Sequence, residues 1–208
     1  LTKGTKPSIS TVHFSALEGN WRLDAEYYQP HYLRYQALFT EHSRLETFSS
    51  VILHPVEVKR DYVDSGIQIL LAQNIRQNYL DFSLSVYMPE DLEEVLTKNL
   101  LQPGDVVITR SGVNYGDSAT YLGEPAPLYA SADCLVIRPW GIDGAYLSTF
   151  LNTRYGRELL KRGGYGAAQP HIAPTYVGEL RVPREDTVER EVVELVNQAD
   201  QSQRKSKR

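Results

Sequence analysis

One cysteine, one methionine and two tryptophans are all that the 208 residues contain of these types. A lone thiol, Cys134, makes no internal disulfide, which excludes a small cross-linked secreted scaffold and points to an intracellular, cytoplasmic chain. It lies in the apolar run Ala132 to Ile137, the setting of a buried structural thiol rather than a nucleophile. No window approaches 18 uninterrupted apolar residues, so neither a bilayer-spanning helix nor a membrane partner is expected. The opening LTKGTKPSIS lacks the apolar core of a signal peptide and an initiating methionine, which suggests a processed chain or a fragment. Positive charge is not in excess either: 22 bases stand against 26 acids, and a net charge of −4 on average disfavours a polyanion partner. With 41% apolar and 23% charged residues, a disordered or collagen-like chain is excluded.

Catalytic motifs are scarce. Glu57-Val58-Lys59, on an expected strand, has the Glu-x-Lys form with which metal-dependent nucleases hold a cation and orient water, with Glu41 or Glu46 as the upstream acid. Such a nuclease is one alternative reading. Gly116-Asp117-Ser118 lacks the second glycine of a hydrolase elbow. The five histidines show no paired spacing, and neither a phosphate-cradling lysine loop nor a dinucleotide fingerprint occurs. No metal site, no cofactor and no catalytic activity are therefore expected.

What is abundant is tyrosine, 14 residues against 5 phenylalanines. Such rings suit either a partner surface or a core edged by hydroxyls, so a protein-interaction domain with no DNA role is a further alternative. Residues 1–20 read as an extended arm. Tyr28, Tyr32, Tyr35 and Phe39 then recur at helical spacing, with Pro30 suited to a first turn. Residues 51–53, 56–58, 67–71 and 84–87 are short strand-like runs, and MPEDLEEVLTK is a short helix. Val106 to Thr109 and Ala132 to Arg138 are strands. One helix capped by Asp143 runs to Gly163-Gly164, and a last strand is expected near Leu180 to Val182. From residue 185 an amphipathic helix carries Val188, Val192, Leu195, Val196 and Ala199 on one stripe, and it stops in mid-pattern like a truncated long helix. The fold class expected is α/β (mixed α+β). One globular domain, residues 21–184, holds a mixed twisted sheet flanked by helices, and a C-terminal helix occupies 185–208.

The charge is unevenly placed. Residues 51–150 carry a net −7, whereas 151–183 carry +3 through Arg154, Arg157, Lys161, Arg162 and Arg181. These cations suit the negative end of a helix dipole, and equally a phosphate backbone. Beside them the segment Gly163 to His171 offers close-approach glycines, a stacking ring in Tyr165, and base-reading groups in Gln169 and His171. Two other loops have the same character. One runs from Gln73 through Asn74 and Arg76 to Asn78; the other holds Arg110, Ser111, Asn114 and Tyr115. Arginine binds guanine and asparagine or glutamine binds adenine bidentately, each at about 1–3 kcal/mol of discrimination.

The succession RLDAEYYQPHY, GIQILLAQNIRQNYLDFS, LQPGDVVITRSGVNYGDSA, GYGAAQPHIAPTYVGELRVP and EREVVELV resembles the target-recognition domain of type I restriction-modification specificity subunits. The resemblance runs from about Arg22 to the end and is most specific at Gly104 to Gly112 and Gly163 to Ile172. It implies a non-catalytic domain that reads one half of a split double-stranded DNA site. It also implies a long spacer helix, begun at Ser206 to Arg208, that helps to dock DNA methyltransferase subunits and, in the full system, an endonuclease subunit. A full subunit usually holds two such domains where this chain has one, so a half-subunit dimerising through its C-terminal helix, a methyltransferase fusion or an excised domain all fit. Base contacts are expected from Gln73, Asn74, Arg76, Arg110, Ser111, Asn114, Tyr115, Tyr165, Gln169 and His171, and phosphate contacts from Arg154, Lys161 and Arg162. The stripe from Val188 to Ala199 would pack on a partner helix. The isolated chain is expected to bind DNA weakly, with a shallow salt slope.

Overall fold

The computed structural model describes residues 9–14, 17, 22–112, 114–166 and 170–206. Its strands are β1 (Ser49–Leu53), β2 (Ile67–Leu70), β3 (Ile75–Arg76), β4 (Tyr79–Leu80), β5 (Val86–Met88), β6 (Val106–Thr109), β7 (Ser118–Thr120), β8 (Tyr129–Ala130) and β9 (Cys134–Pro139). Its helices are α1 (Pro30–Ala37), α2 (Glu93–Leu96), α3 (Gly144–Asn152), α4 (Arg154–Arg162), α5 (Pro174–Glu179) and α6 (Asp186–Ser206).

β6 explains the layering. All four of its residues are buried, because the strand is covered on both faces. Val106 and Ile108 point to one side, with Leu135 and Ile137 of β9, into a core completed by Leu147 and Leu151 of α3, Leu160 of α4 and Val177 of α5. Val107 points to the other side, with Cys134 and Val136, onto Leu70, Ile75 and Leu128. The two-residue period of a strand thus divides one apolar run between two cores. Each of these fully buried aliphatic side chains stabilises the fold by about 1.5–3 kcal/mol.

The main sheet is antiparallel, in the order β1-β9-β6-β7, with Val106 opposite both Ile137 and Thr120. The mixed pairing expected from the sequence belongs to a smaller sheet, β5-β2-β8, in which β2 and β8 run parallel. β3 and β4 form a hairpin whose residue Asn78 has φ 68°. Cys134 is fully buried, its thiol pKa pushed up to about 12 by desolvation.

Three expectations are corrected. The segment 56–58 is irregular chain rather than a strand. The helix after Asp143 is two helices. Asp143 does cap α3, accepting from the Ala145 amide at 2.8 Å, but Thr153 is extended and caps α4 through its own hydroxyl on the Gly156 amide. Gly156 permits this break, since a Cβ there would lie 2.3 Å from the Phe150 carbonyl oxygen. Leu180 to Val182 makes only an isolated bridge, Arg44 to Arg181, because α5 occupies the preceding residues with Pro174 in its first turn. The arm expected over residues 1–20 and the spacer start at Lys207 and Arg208 lie largely outside the described residues.

α6 begins firmly anchored. Arg184 pairs with buried Glu189 and donates to the Gly141 carbonyl at 2.7 Å, while Glu185 accepts from the Val188 amide at 2.7 Å. No described helix is long and apolar enough to cross a membrane.

Candidate nucleic-acid interface

The end of β6 gathers the three polar loops. Thr109 closes the following loop by accepting from the Gly116 amide and donating to the Asp117 carbonyl, at 2.9 and 2.8 Å. The Arg110 amide donates to the Asp133 carbonyl at 2.9 Å, so its Cα is held by β9's leading edge. Gly112 supplies a φ of 94° that an L side chain would strain. The Thr109 hydroxyl reaches the Ala72 carbonyl at 3.5 Å, which places the Gln73 turn alongside. Two backbone bonds, at 3.0 and 2.8 Å, join Tyr165 to His171, and the Tyr165 hydroxyl accepts from the Arg110 guanidinium at 3.5 Å.

Within this cluster the residues have different fates. Arg110 is half-buried; its Nε and the Nδ1 of His171 are buried without a hydrogen-bond partner among the described residues. Tyr165 is 45% exposed and available for stacking. Gln73 is exposed, and so is Gln77 at the tip of the β3–β4 hairpin, a residue not singled out from the sequence although it sits in a loop that was. Asn114 is half-buried and Ser111 buried at the loop's base. Gln169 lies outside the described residues.

Three expected base readers are structural instead. Asn74 is only 3% exposed: its oxygen accepts from the Leu71 amide and its nitrogen donates to the Asp81 and Leu84 carbonyls, each at 2.9 Å. Arg76 is folded onto its own loop, donating to the Gln73 carbonyl at 2.6 Å and facing Asp81 at 4.0 Å. Tyr115 points inward and donates to the Leu160 carbonyl at 3.2 Å, and burial raises its phenol pKa.

The basic stretch is also largely consumed. Arg162, expected on phosphate, is 4% exposed; it donates to the Tyr27 carbonyl at 2.9 Å and stacks 3.9 Å from the Tyr27 ring. Arg157 pairs with Asp117, and Arg181 donates to the His42 carbonyl. Lys161 is exposed but paired with Glu158 at 2.8 Å. Arg154 lies on the surface, 5.9 Å from the Tyr35 ring. Arg22 also stands over the Tyr27 ring, 4.6 Å from its centroid, and donates to the Gly163 and Gly164 carbonyls at 3.2 and 2.9 Å. It holds the end of α4, and thereby the base of the Tyr165 turn, in place. Nothing in its sequence neighbourhood marks that role, because both acceptors lie more than 140 residues away.

Glu57 and Lys59 do not form a paired site. They sit in irregular chain, where Glu57 faces Arg60 and Lys59, 84% exposed, pairs with Asp61. Among the described residues no three His, Cys, Asp or Glu side chains gather as metal ligands would.

The α6 stripe is divided. Val192 is half-buried against the α3 side of the core, and Val196 is half-buried as well; Val188, Leu195 and Ala199 are exposed. Val192, Leu195, Val196 and Ala199 form one wall of an apolar groove of about 880 Å³, and Phe82 and Leu122 belong to the other. Arg204 reaches across to Glu124 at its end.

No family model and no curated protein matches this sequence. Solved structures do. A chain from a type I R-M system, solved to explain complex assembly and conformational transition, is 13% identical with a TM-score of 0.50, over 83% of this chain and 44% of that one. The type IIG restriction endonuclease BpuSI is 11% identical with a TM-score of 0.57, over 85% of this chain and 28% of the enzyme. The HsdS subunit from Thermoanaerobacter tengcongensis is 15% identical with a TM-score of 0.46, over 82% and 43%. This chain spans less than half the length of each of these structures. Over most of its own length it has the fold found in a type I R-M system component and in a type IIG restriction endonuclease.

Proposed function

We propose that this chain is a DNA-recognition module of a restriction-modification system, non-catalytic itself, that reads one half of a bipartite duplex site. The observation that carries this reading is the meeting of three polar loops, from distant parts of the chain, at the end of β6 around Arg110. A rigid strand end that presents amides, a stacking ring and a guanidinium is suited to base edges, which specify sequence, more than to phosphates, which position a protein. The fold shared with restriction-modification proteins supports the same reading.

The module would dock a DNA adenine methyltransferase and, through it, an endonuclease subunit. The exposed face of α6, Val188 with Leu195 and Ala199, would meet a helix of the partner or of a second copy. Selection from a randomised duplex library by the intact protein with its methyltransferase tests the proposal. Enrichment of a defined half-site is expected, and recovery of unselected sequence would refute it.

A further inference from the structure

We infer that Arg110 reads a guanine, and that it is the residue which gives this half-site its strongest single base preference. The inference rests on the DNA-recognition reading above. Among the described arginines, all but Arg110 and Arg154 have a carboxylate or a backbone carbonyl as acceptor. Arg22 has Asp24, Arg60 has Asp133, Arg138 has Asp105, Arg157 has Asp117 and Arg184 has Glu189. The others close on carboxylates or on carbonyls near them. Arg154 is a surface residue over Tyr35, whereas Arg110 is recessed at the point where the loops meet.

The two carboxylates flanking Arg110 are already neutralised. Asp133, whose carbonyl holds the Arg110 amide, is paired with Arg60 at 2.9 Å. Asp117, whose carbonyl holds the Thr109 amide, is paired with Arg157. Arg110 is therefore a cation without a carboxylate partner, beside two carboxylates that are each already paired with another arginine. Its single side-chain bond, 3.5 Å to the phenol of Tyr165, is long and made to a neutral acceptor, so a better acceptor displaces it at little cost. Its Nε, itself buried, has no hydrogen-bond partner among the described residues. A planar fork of donors whose one acceptor is a distant phenol matches the O6 and N7 atoms on the major-groove edge of guanine, and no other base presents two acceptors there. The backbone bond to Asp133 and the strand before it fix where that fork stands.

The test begins with library selection by the full chain at low salt, with the wild type and the Arg110→Ala and Arg110→Lys variants compared after thermal denaturation has established that each is folded. Expected is a half-site with a guanine whose preference falls by about 5- to 150-fold in Arg110→Ala while other positions keep theirs. Arg110→Lys, which keeps the charge but not the fork, should lose most of that preference too. Replacing each guanine of the half-site in turn by 7-deazaguanine removes one acceptor without altering the protein. Weakened binding is expected at one position, with no further loss there in Arg110→Ala. A half-site whose preferences are unchanged in Arg110→Ala, an even weakening across all sequences, or indifference to 7-deazaguanine at every position would overturn this assignment while leaving DNA recognition standing. Enrichment of no sequence by the wild type would overturn the recognition reading, and this inference with it.

Discussion

Two regions of this molecule carry arginines beside glycine-rich loops, and they use them in opposite ways. Along α4 the charges are dense, but most are met by the protein itself: Arg162 stacks on Tyr27, Arg157 meets Asp117 and, on the surface, Lys161 meets Glu158. At the end of β6 there is a single arginine, recessed and without a carboxylate or carbonyl acceptor among the described residues. Local charge density thus measures how much cation a segment contains, whereas recognition depends on how much remains unspent after folding. A burial-driven fold pairs charges wherever a carboxylate or carbonyl is in reach, since a buried unpaired charge costs several kcal/mol.

The comparison breaks most visibly at Arg162. If this residue belongs to the scaffold, Arg162→Ala removes a charged hydrogen bond and a desolvated cation–π contact, together about 3 kcal/mol. For a domain of this size that corresponds to a fall of roughly 6–12 °C in melting temperature. Base preferences of the surviving folded fraction should be unchanged. A variant of normal stability with impaired binding would return Arg162 to the interface.

Asn74 sharpens the same contrast within one loop. Its three hydrogen bonds tie the Gln73 turn to the segment between β4 and β5, so Asn74→Ala should cost about 2 kcal/mol. Because those bonds also set the β3–β4 hairpin, amide exchange should quicken over residues 75–80 more than in β6. Equal loss of protection in both would show that the hairpin is not a separately supported unit. Gln77 at its tip offers a cleaner probe: Gln77→Ala removes an exposed amide, so stability should stay within about 0.5 kcal/mol.

How much of this was legible in the sequence follows from the range of the interactions involved. The apolar run that opens β6, the Asp143 cap, the Pro30 start of α1 and the buried Cys134 depend on neighbours within a few residues, and each is readable. The division at Thr153 was not, because the Gly156 backbone that nests against Phe150 reads, in sequence, as one more position of a continuous amphipathic helix. The candidate loops were legible as loops, since amides, glycine and arginine mark them. Which side chains within them face outward was not, since Asn74, Arg76 and Tyr115 have the same chemistry as true base readers. Their partners are fixed only when the chain closes: Tyr115 finds Leu160 across 45 positions, and Arg162 finds Tyr27 across 135.

The smallest expected effect lies at Arg154 and Lys161, the two residues of the basic stretch that stay on the surface. Neither supports the core: Lys161 is in an exposed pair with Glu158, and Arg154 rests on a ring. Exposed pairs of this kind contribute between zero and about 1 kcal/mol, so Lys161→Gln and Arg154→Gln should each leave stability within about 0.5 kcal/mol. Their effect, if they touch phosphate, is in the salt dependence of binding, where each lost contact flattens the slope of log affinity against log salt by about 0.9. Affinity measured between low and moderate salt separates the cases. A flatter slope with unchanged base preference places α4 along the backbone of the duplex. An unchanged slope places it away from DNA altogether. Arg110 would then be left as the cation of the recognition face, and weak, salt-tolerant binding would be a direct consequence of how completely the rest of the charge is folded away.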